Sequence, residues 1–273
     1  MVADYERTRD ALIRLVGLRV LEDSRLEDPA IGRRGGMAWV GDNTIEVGEP
    51  IVDGGAVDRF VQRFGSHMSS IAVQVEDIDA TVSFLEHNDV RIASRIGHHI
   101  VFTHPADTGD VVIEWFGDEE ALDPRFGAPM PPPVVAPLLE VTHMAFAGAV
   151  VDHPAASATR LADLIGHGFT VADRPIAGAP AATVSMGDVP IALYPRPRSA
   201  VESRQLWGHT YHRPQTSNLG VLVPDLATAR ASLAAASVPI HRDDDTSLVI
   251  APEVTGGVAI VVVDRLLDAD PRR

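Results

Sequence analysis

The chain repeats itself. The stretch Gly41-Asp42-Asn43-Thr44-Ile45-Glu46 returns as Gly187-Asp188-Val189-Pro190-Ile191-Ala192, displaced by 146 residues (41 to 187). Pro105 with Thr108-Gly109-Asp110-Val111-Val112-Ile113-Glu114 returns as Pro252 with Thr255-Gly256-Gly257-Val258-Ala259-Ile260-Val261, displaced by 147 (105 to 252). Two segments more than sixty residues apart keep nearly the same offset, which marks duplication of a whole domain. The copies are unequal: Glu46 answers to Ala192 and Glu114 to Val261.

Each copy divides again. Helices are expected from Asp4 to Leu12, Asp77 to Leu85, Asp152 to Leu161 and Asp225 to Leu233, each with an Asp at its start that can cap the first turn. Strands Ser70 to Val75 and Asn218 to Val223 precede the second and fourth, and three short strands follow each helix, as at Val90 to Ser94, His99 to Thr103 and Val111 to Phe116. The unit is therefore strand, helix and three strands, four times over. Only Met1, Val2 and Ala3 precede Asp4, so the first unit lacks its opening strand. The readings of that gap are a truncated chain, a start assigned too late, or an open edge covered by a partner strand. These patterns divide the chain into a first domain over 1–117, a Pro-rich linker over 118–137 around Met130-Pro131-Pro132-Pro133, and a second domain over 138–268.

Composition closes off several chemistries. There is no Cys, so disulfides, thiolate nucleophiles and Cys-ligated metals are excluded. There is no Lys either, which removes a Schiff-base lysine, pyridoxal phosphate chemistry and a P-loop, and no nucleotide cofactor is expected. A net charge of −15 argues against nucleic acid as partner. No signal peptide or apolar run of membrane-spanning length is visible, so a cytoplasmic protein without a membrane partner is expected.

Four such units in two pairs, with Gly41-Asp42-Asn43-Thr44-Ile45-Glu46-Val47-Gly48-Glu49-Pro50 and Thr108-Gly109-Asp110-Val111-Val112-Ile113-Glu114-Trp115, resemble the vicinal oxygen chelate superfamily. The first half looks most like methylmalonyl-CoA epimerase and glyoxalase I. The resemblance implies an α+β fold in which paired units form cup-shaped sheets around a divalent metal. Carried over by position, the first domain offers Glu46, Ser70 and Glu114, with a fourth ligand position seven residues before Asp4, ahead of Met1. The second offers His143, Ala192, Asn218 and Val261, of which His143 is a weak candidate ligand.

Strand alternation supports one polar face independently. Thr44 and Glu46 share a side of their strand, Ser70, Ala72 and Gln74 share another, and Glu114 opposes Ile113 and Trp115. The matching face of the second copy reads Ala192, Asn218, Gly220, Ala259 and Val261. One cup is expected to be wet and the other mostly apolar.

Two carboxylates on one concave surface can hold a hard cation, or serve as acid and base when their ionisations are pushed apart; each can equally be a solvated rim residue. Glu46 and Glu114 are the candidate catalytic and metal-binding pair, with Ser70, Gln74 and His67 as candidate substrate contacts. His98 and His99 point to opposite faces, and His104 beside Pro105 can cap a turn. The long connection Pro195 to Thr216, carrying Trp207, His209, Tyr211, His212 and Arg213, reads as a lid, an anion-binding cluster, a domain-docking surface or disorder. The leading expectation is a metal-assisted isomerase, epimerase or lyase acting on a small carbonyl, thioester or hydroxy acid. The alternatives are a metal-free small-molecule-binding protein of the bleomycin-resistance type and an extradiol-type dioxygenase. Pairing into a homodimer is left open by the sequence.

Overall fold

The computed structural model describes residues 1–21, 32–117, 130–165, 168–171, 175–211 and 213–273. The first unit comprises α1 (Tyr5–Val16), β1 (Arg19–Val20), β2 (Arg33–Val40) and β3 (Asn43–Pro50), followed by α2 (Ala56–Phe64). The second is β4 (Ile71–Val75), α3 (Ile78–His87), β5 (Ile92–Ile96), β6 (Ile100–Thr103) and β7 (Ile113–Gly117). The third is β8 (His143–Val151), α4 (Pro154–Ile165), β9 (Phe169–Val171), β10 (Ala182–Val184) and β11 (Ile191–Pro195), followed by α5 (Ala200–Trp207). The fourth is β12 (Gln215–Leu222), α6 (Leu226–Ala235), β13 (Ile240–Asp243), β14 (Leu248–Ile250), α7 (Pro252–Thr255) and β15 (Ala259–Val263). The fold is thus the α+β arrangement of repeated units expected from the sequence. Residues 118–129 of the expected linker lie outside the described residues. No described helix is long and apolar enough to cross a membrane.

Capping sets three of the helix starts. The carboxylates of Asp4, Asp77 and Asp225 accept from the amides of Arg7, Ala80 and Thr228, satisfying donors that a helix leaves free in its first turn. The fourth expected cap differs: α4 begins at Pro154, and Asp152 pairs with Arg196 at 2.7 Å instead.

The two halves build their sheets differently. The second forms one eight-stranded sheet, β13-β14-β15-β12-β8-β11-β10-β9, with β8 seated between β11, to which it is parallel, and β12, to which it is antiparallel. The first forms a three-stranded sheet, β1-β2-β3, and a four-stranded one, β4-β7-β6-β5. In the repeat β3 answers to β11 and β4 to β12, so the seam between the two small sheets corresponds to the place of β8. Met1 to Ala3 bridge it: Val2 N–H donates to Gly48 O at 2.8 Å, and His67 N–H to Met1 O at 3.0 Å.

The outer faces of the sheets bury against the opposite half. One core joins Leu12, Leu15, Val40 and Val47 of the first unit to Leu219, Leu233, Ile260 and Val262 of the fourth. Another joins Leu85, Val101 and Ile113 of the second unit to Ala149, Leu161, Val184 and Leu193 of the third.

A third core fills the second cup. Phe146, Ala192, Tyr194, Val249 and Val261 line it, and Trp207 and Tyr211 enter from above. Trp207 is 0% exposed and meets the Tyr194 ring edge-on, 4.8 Å between centroids. Asn218 lies across Gly148, where an added Cβ would come within 2.3 Å of its carboxamide oxygen; only glycine leaves that room. Within the connection 195–216, α5 ends in the side chain that plugs the degenerate cup, and His212 lies outside the described residues. Trp207→Ala is expected to cost about 3–5 kcal/mol, the range for emptying a large aromatic site, read as a lowered urea midpoint by circular dichroism.

Candidate active site

The first cup keeps its polar face because strand pairing aligns it. Across β2 and β3 the partners Arg33 with Pro50, Gly35 with Gly48, Met37 with Glu46, and Trp39 with Thr44 share one side. Ala38, Val40 and Val47 occupy the other and pack in the core with α1. Arg33 and Glu46 are thus on one face but four residues apart along the ladder. The Arg33 side chain spans that distance and pairs with Glu46 at 2.7 Å. Gly48 lies between them, and a Cβ there would sit 3.8 Å from Arg33 Cδ, so the bare backbone is the floor over which the guanidinium stem runs.

The facing sheet supplies the second carboxylate. In its ladder Ala72 pairs with Glu114, Gln74 with Phe116, and Phe102 with Glu114, which puts these side chains on one face. The Ser70 hydroxyl donates to Glu114 Oε2 at 3.1 Å. Burial raises the Glu114 pKa above the ordinary carboxylate value, and the negative charge of Glu46 raises it further. The Ser70 hydrogen bond and the charge of Arg33 oppose that rise. Glu46, Glu114, Ser70 and Arg33 therefore share one electrostatic environment, and Gln74 lies half-buried on the same face. Met37, Ile100, Phe102 and Phe116, all half-buried, make the rest of that surface apolar. Trp39 is 7% exposed, and its indole N–H has no hydrogen-bond partner.

The other candidates have partners of their own. His67 is 2% exposed, stacked on Phe60 at 4.7 Å between centroids, with Nδ1–H donating to Gly65 O at 3.2 Å. Burial pushes its pKa down to about 4. His143 starts β8, with Nε2 3.8 Å from Asp42 Oδ2 in the β2–β3 turn, where Asp42 also pairs with Arg272 at 2.7 Å. That cluster ties the first half to the second. His104 caps a short turn at Pro105–Asp107 by accepting from Ala106 N–H. Ala192 and Val261, where the second copy lacks carboxylates, are fully buried.

Arg33 is the site residue that sequence reading misses. Its parity with Glu46 is set by cross-strand register, which the order of residues does not display; the glycine at 48 is the one local sign of something passing over the strand.

The donors were tested against a divalent ion. Two carboxylates and one hydroxyl converge, and Glu46 already gives an oxygen to Arg33. Among the described residues no three His, Asp or Glu side chains gather as a metal set. The guanidinium holds the position of charge that a cation would need, so these residues do not fit a metal as they stand.

No known protein-family model matches the chain, and no curated protein sequence does. Solved structures do. A triple variant of 4-hydroxymandelate synthase from Streptomyces coelicolor aligns with 100% of this chain and 93% of its own, at 13% identity and a TM-score of 0.65. Methylmalonyl-CoA epimerase from Mycobacterium tuberculosis aligns with 42% of this chain and 81% of its own, at 24% identity and a TM-score of 0.38. A variant of the Streptomyces coelicolor epimerase, in complex with 2-nitronate-propionyl-CoA, aligns with 42% and 90%, at 23% identity and 0.39. The whole-chain likeness shows that this chain shares the fold of 4-hydroxymandelate synthase.

The raised pKa of Glu114 has a signed consequence. Below about pH 4.3, the ordinary value of a glutamate, the group is protonated folded and unfolded alike. As pH rises past that value the unfolded chain ionises first, so the wild type loses stability until the folded group also ionises. Glu114→Gln has no such loss. Its stability relative to wild type is expected to be flat in acid, to grow as pH climbs above about 4.3, and then to level, measured by urea unfolding across the range.

Proposed function

We propose that the first cup moves a proton alpha to a carbonyl of a small thioester, hydroxy acid or oxo acid, in isomerase, epimerase or lyase chemistry. The observation that carries this reading is the unequal pair: Glu46 is neutralised by Arg33, while half-buried Glu114 holds its proton to higher pH than an ordinary carboxylate. Two carboxylates in unlike environments divide naturally into a base and an acid. Glu46 takes the alpha proton, the electron pair of the broken C–H bond moves toward the carbonyl oxygen, and protonated Glu114 returns a proton. The Arg33 guanidinium, which already reaches Glu46, is the donor available to the developing enolate oxygen. Half-buried Phe102 and Phe116 limit water around the reacting carbon.

A second reading, a metal-free small-molecule-binding protein, is favoured by the same Arg33–Glu46 pair, since a guanidinium already fills the cationic role.

The test is wash-in of solvent deuterium at the alpha carbon, followed by NMR, for a panel of 2-methyl thioesters, 2-hydroxy acids and 2-oxo acids. It is run with chelator and again with Mg, Mn, Co or Zn added. Exchange by the wild type is expected, with Glu114→Gln and Glu46→Gln each slower by about 10²–10⁴-fold and Arg33→Gln by about 10²–10³-fold. Exchange that appears only with metal would restore the ion to the site. Tight ligand binding with no exchange under any condition would move the protein to the binding class.

A further inference from the structure

Several arginines in this acidic chain meet a carboxylate. Arg91 pairs with Asp107 at 2.7 Å, Arg196 with Asp152 at 2.7 Å and Arg230 with Asp243 at 2.6 Å. Arg63 and Arg213 do not: no carboxylate pairs with either among the described residues. Instead both turn to one ring. Arg63, in the last turn of α2, has its guanidinium carbon 5.1 Å from the centre of Phe64, and Arg213, just before β12, has its own 3.7 Å from the same centre.

Two like charges on one ring repel, and the ring returns only about 0.5–2 kcal/mol for each cation. Desolvation of Arg213, then the charge of Arg63, lowers the Arg213 pKa. A chain with 38 acidic residues against 23 basic ones leaves this pair uncompensated. Space lies beside it. Gly65, next to Phe64, comes close to His209, where an added Cβ would be 3.9 Å from Cε1. Ser66 and His209 in turn line a cleft of about 420 Å³ whose walls include Asp4, Arg7, Thr8 and Glu253.

We propose that Arg63 and Arg213, both set against the Phe64 ring, form an anion clamp that takes the phosphoryl group of a small phosphorylated molecule, with the adjoining cleft receiving the rest. Two planar forks carry two charges and more donors than one carboxylate can use, whereas a phosphoryl dianion has the charge and three oxygens to engage both. The residues come from different halves of the chain, so the bound group bridges them. This site is separate from the carboxylate pair and does not depend on the activity proposed for it.

The experiment titrates intact protein with inorganic phosphate by calorimetry, with acetate as the monoanionic control. Phosphate is expected to bind the wild type better than acetate, with Arg63→Gln and Arg213→Gln each weakening it at least about tenfold, the loss of one charge-assisted contact. Arg198→Gln, at a side chain 91% exposed and paired with Glu202, is expected to leave binding unchanged. Arg213→Lys guards against a misfolded Gln variant: it keeps the charge but not the fork, and is expected to bind phosphate more weakly than wild type. Equal phosphate affinity in the wild type and the Arg63→Gln, Arg213→Gln double variant would overturn the clamp. So would acetate binding as tightly as phosphate, or Arg198→Gln weakening binding as much as Arg213→Gln.

Discussion

Burial of each sheet's outer face against the opposite half is the constraint on which the rest of the molecule depends. Leu12 and Val47 share a core with Leu219 and Ile260, and Ile113 shares another with Leu161 and Leu193. Neither of these cores belongs to a single half. A sheet with one apolar face must cover it, and here each half is the other's cover. With their backs occupied, the concave faces are left for ligand or for filler.

The halves then answer the same geometric problem in opposite ways. The first leaves polar groups on the concave face and neutralises them locally, Arg33 on Glu46 and Ser70 on Glu114. The second replaces the carboxylates with Ala192 and Val261 and packs Phe146, Tyr194, Trp207 and Tyr211 into the space. The filling is imperfect in hydrogen bonding. Tyr194 Oη, Trp207 Nε1 and Asn218 Oδ1 are buried without partners, each at a cost of about 1–3 kcal/mol. Aromatic burial outweighs those losses, since a large ring removed from water is worth several kcal/mol.

Much of this was legible in the order of residues. The capped helices at Asp4, Asp77 and Asp225 and the strand parity of Glu46 and Glu114 follow from local rules that need only residues a few positions apart, and the duplication shows as a repeated pattern at a constant offset. The apolar character of the second cup was visible in Ala192 and Val261. What filled it was not, although Ser199-Ala200-Val201-Glu202 is a capping-box signature, and the Ser199 hydroxyl does accept from Glu202 N–H at the start of α5. Arg33 was hidden for a different reason. Its relation to Glu46 is created by the β2–β3 register, a non-local fact, and His67 looked available for the cup until Phe60 and Phe64 folded onto it.

Gly48 touches neither carboxylate, yet it governs what kind of site they form. An alanine there would bring its Cβ to 3.4 Å from Met1 Sδ, 3.5 Å from Arg34 O and 3.8 Å from Arg33 Cδ, all ordinary contacts, but a longer side chain would compete with Met1 and the Arg33 stem for that space. The guanidinium would be turned away and Glu46 would regain both oxygens. A position outside the chemistry thus separates two chemical identities of the same cup, one supplied with its own fixed cation and one open to a cation from solution. Descent from either to the other would require a change in floor height rather than a change of ligand.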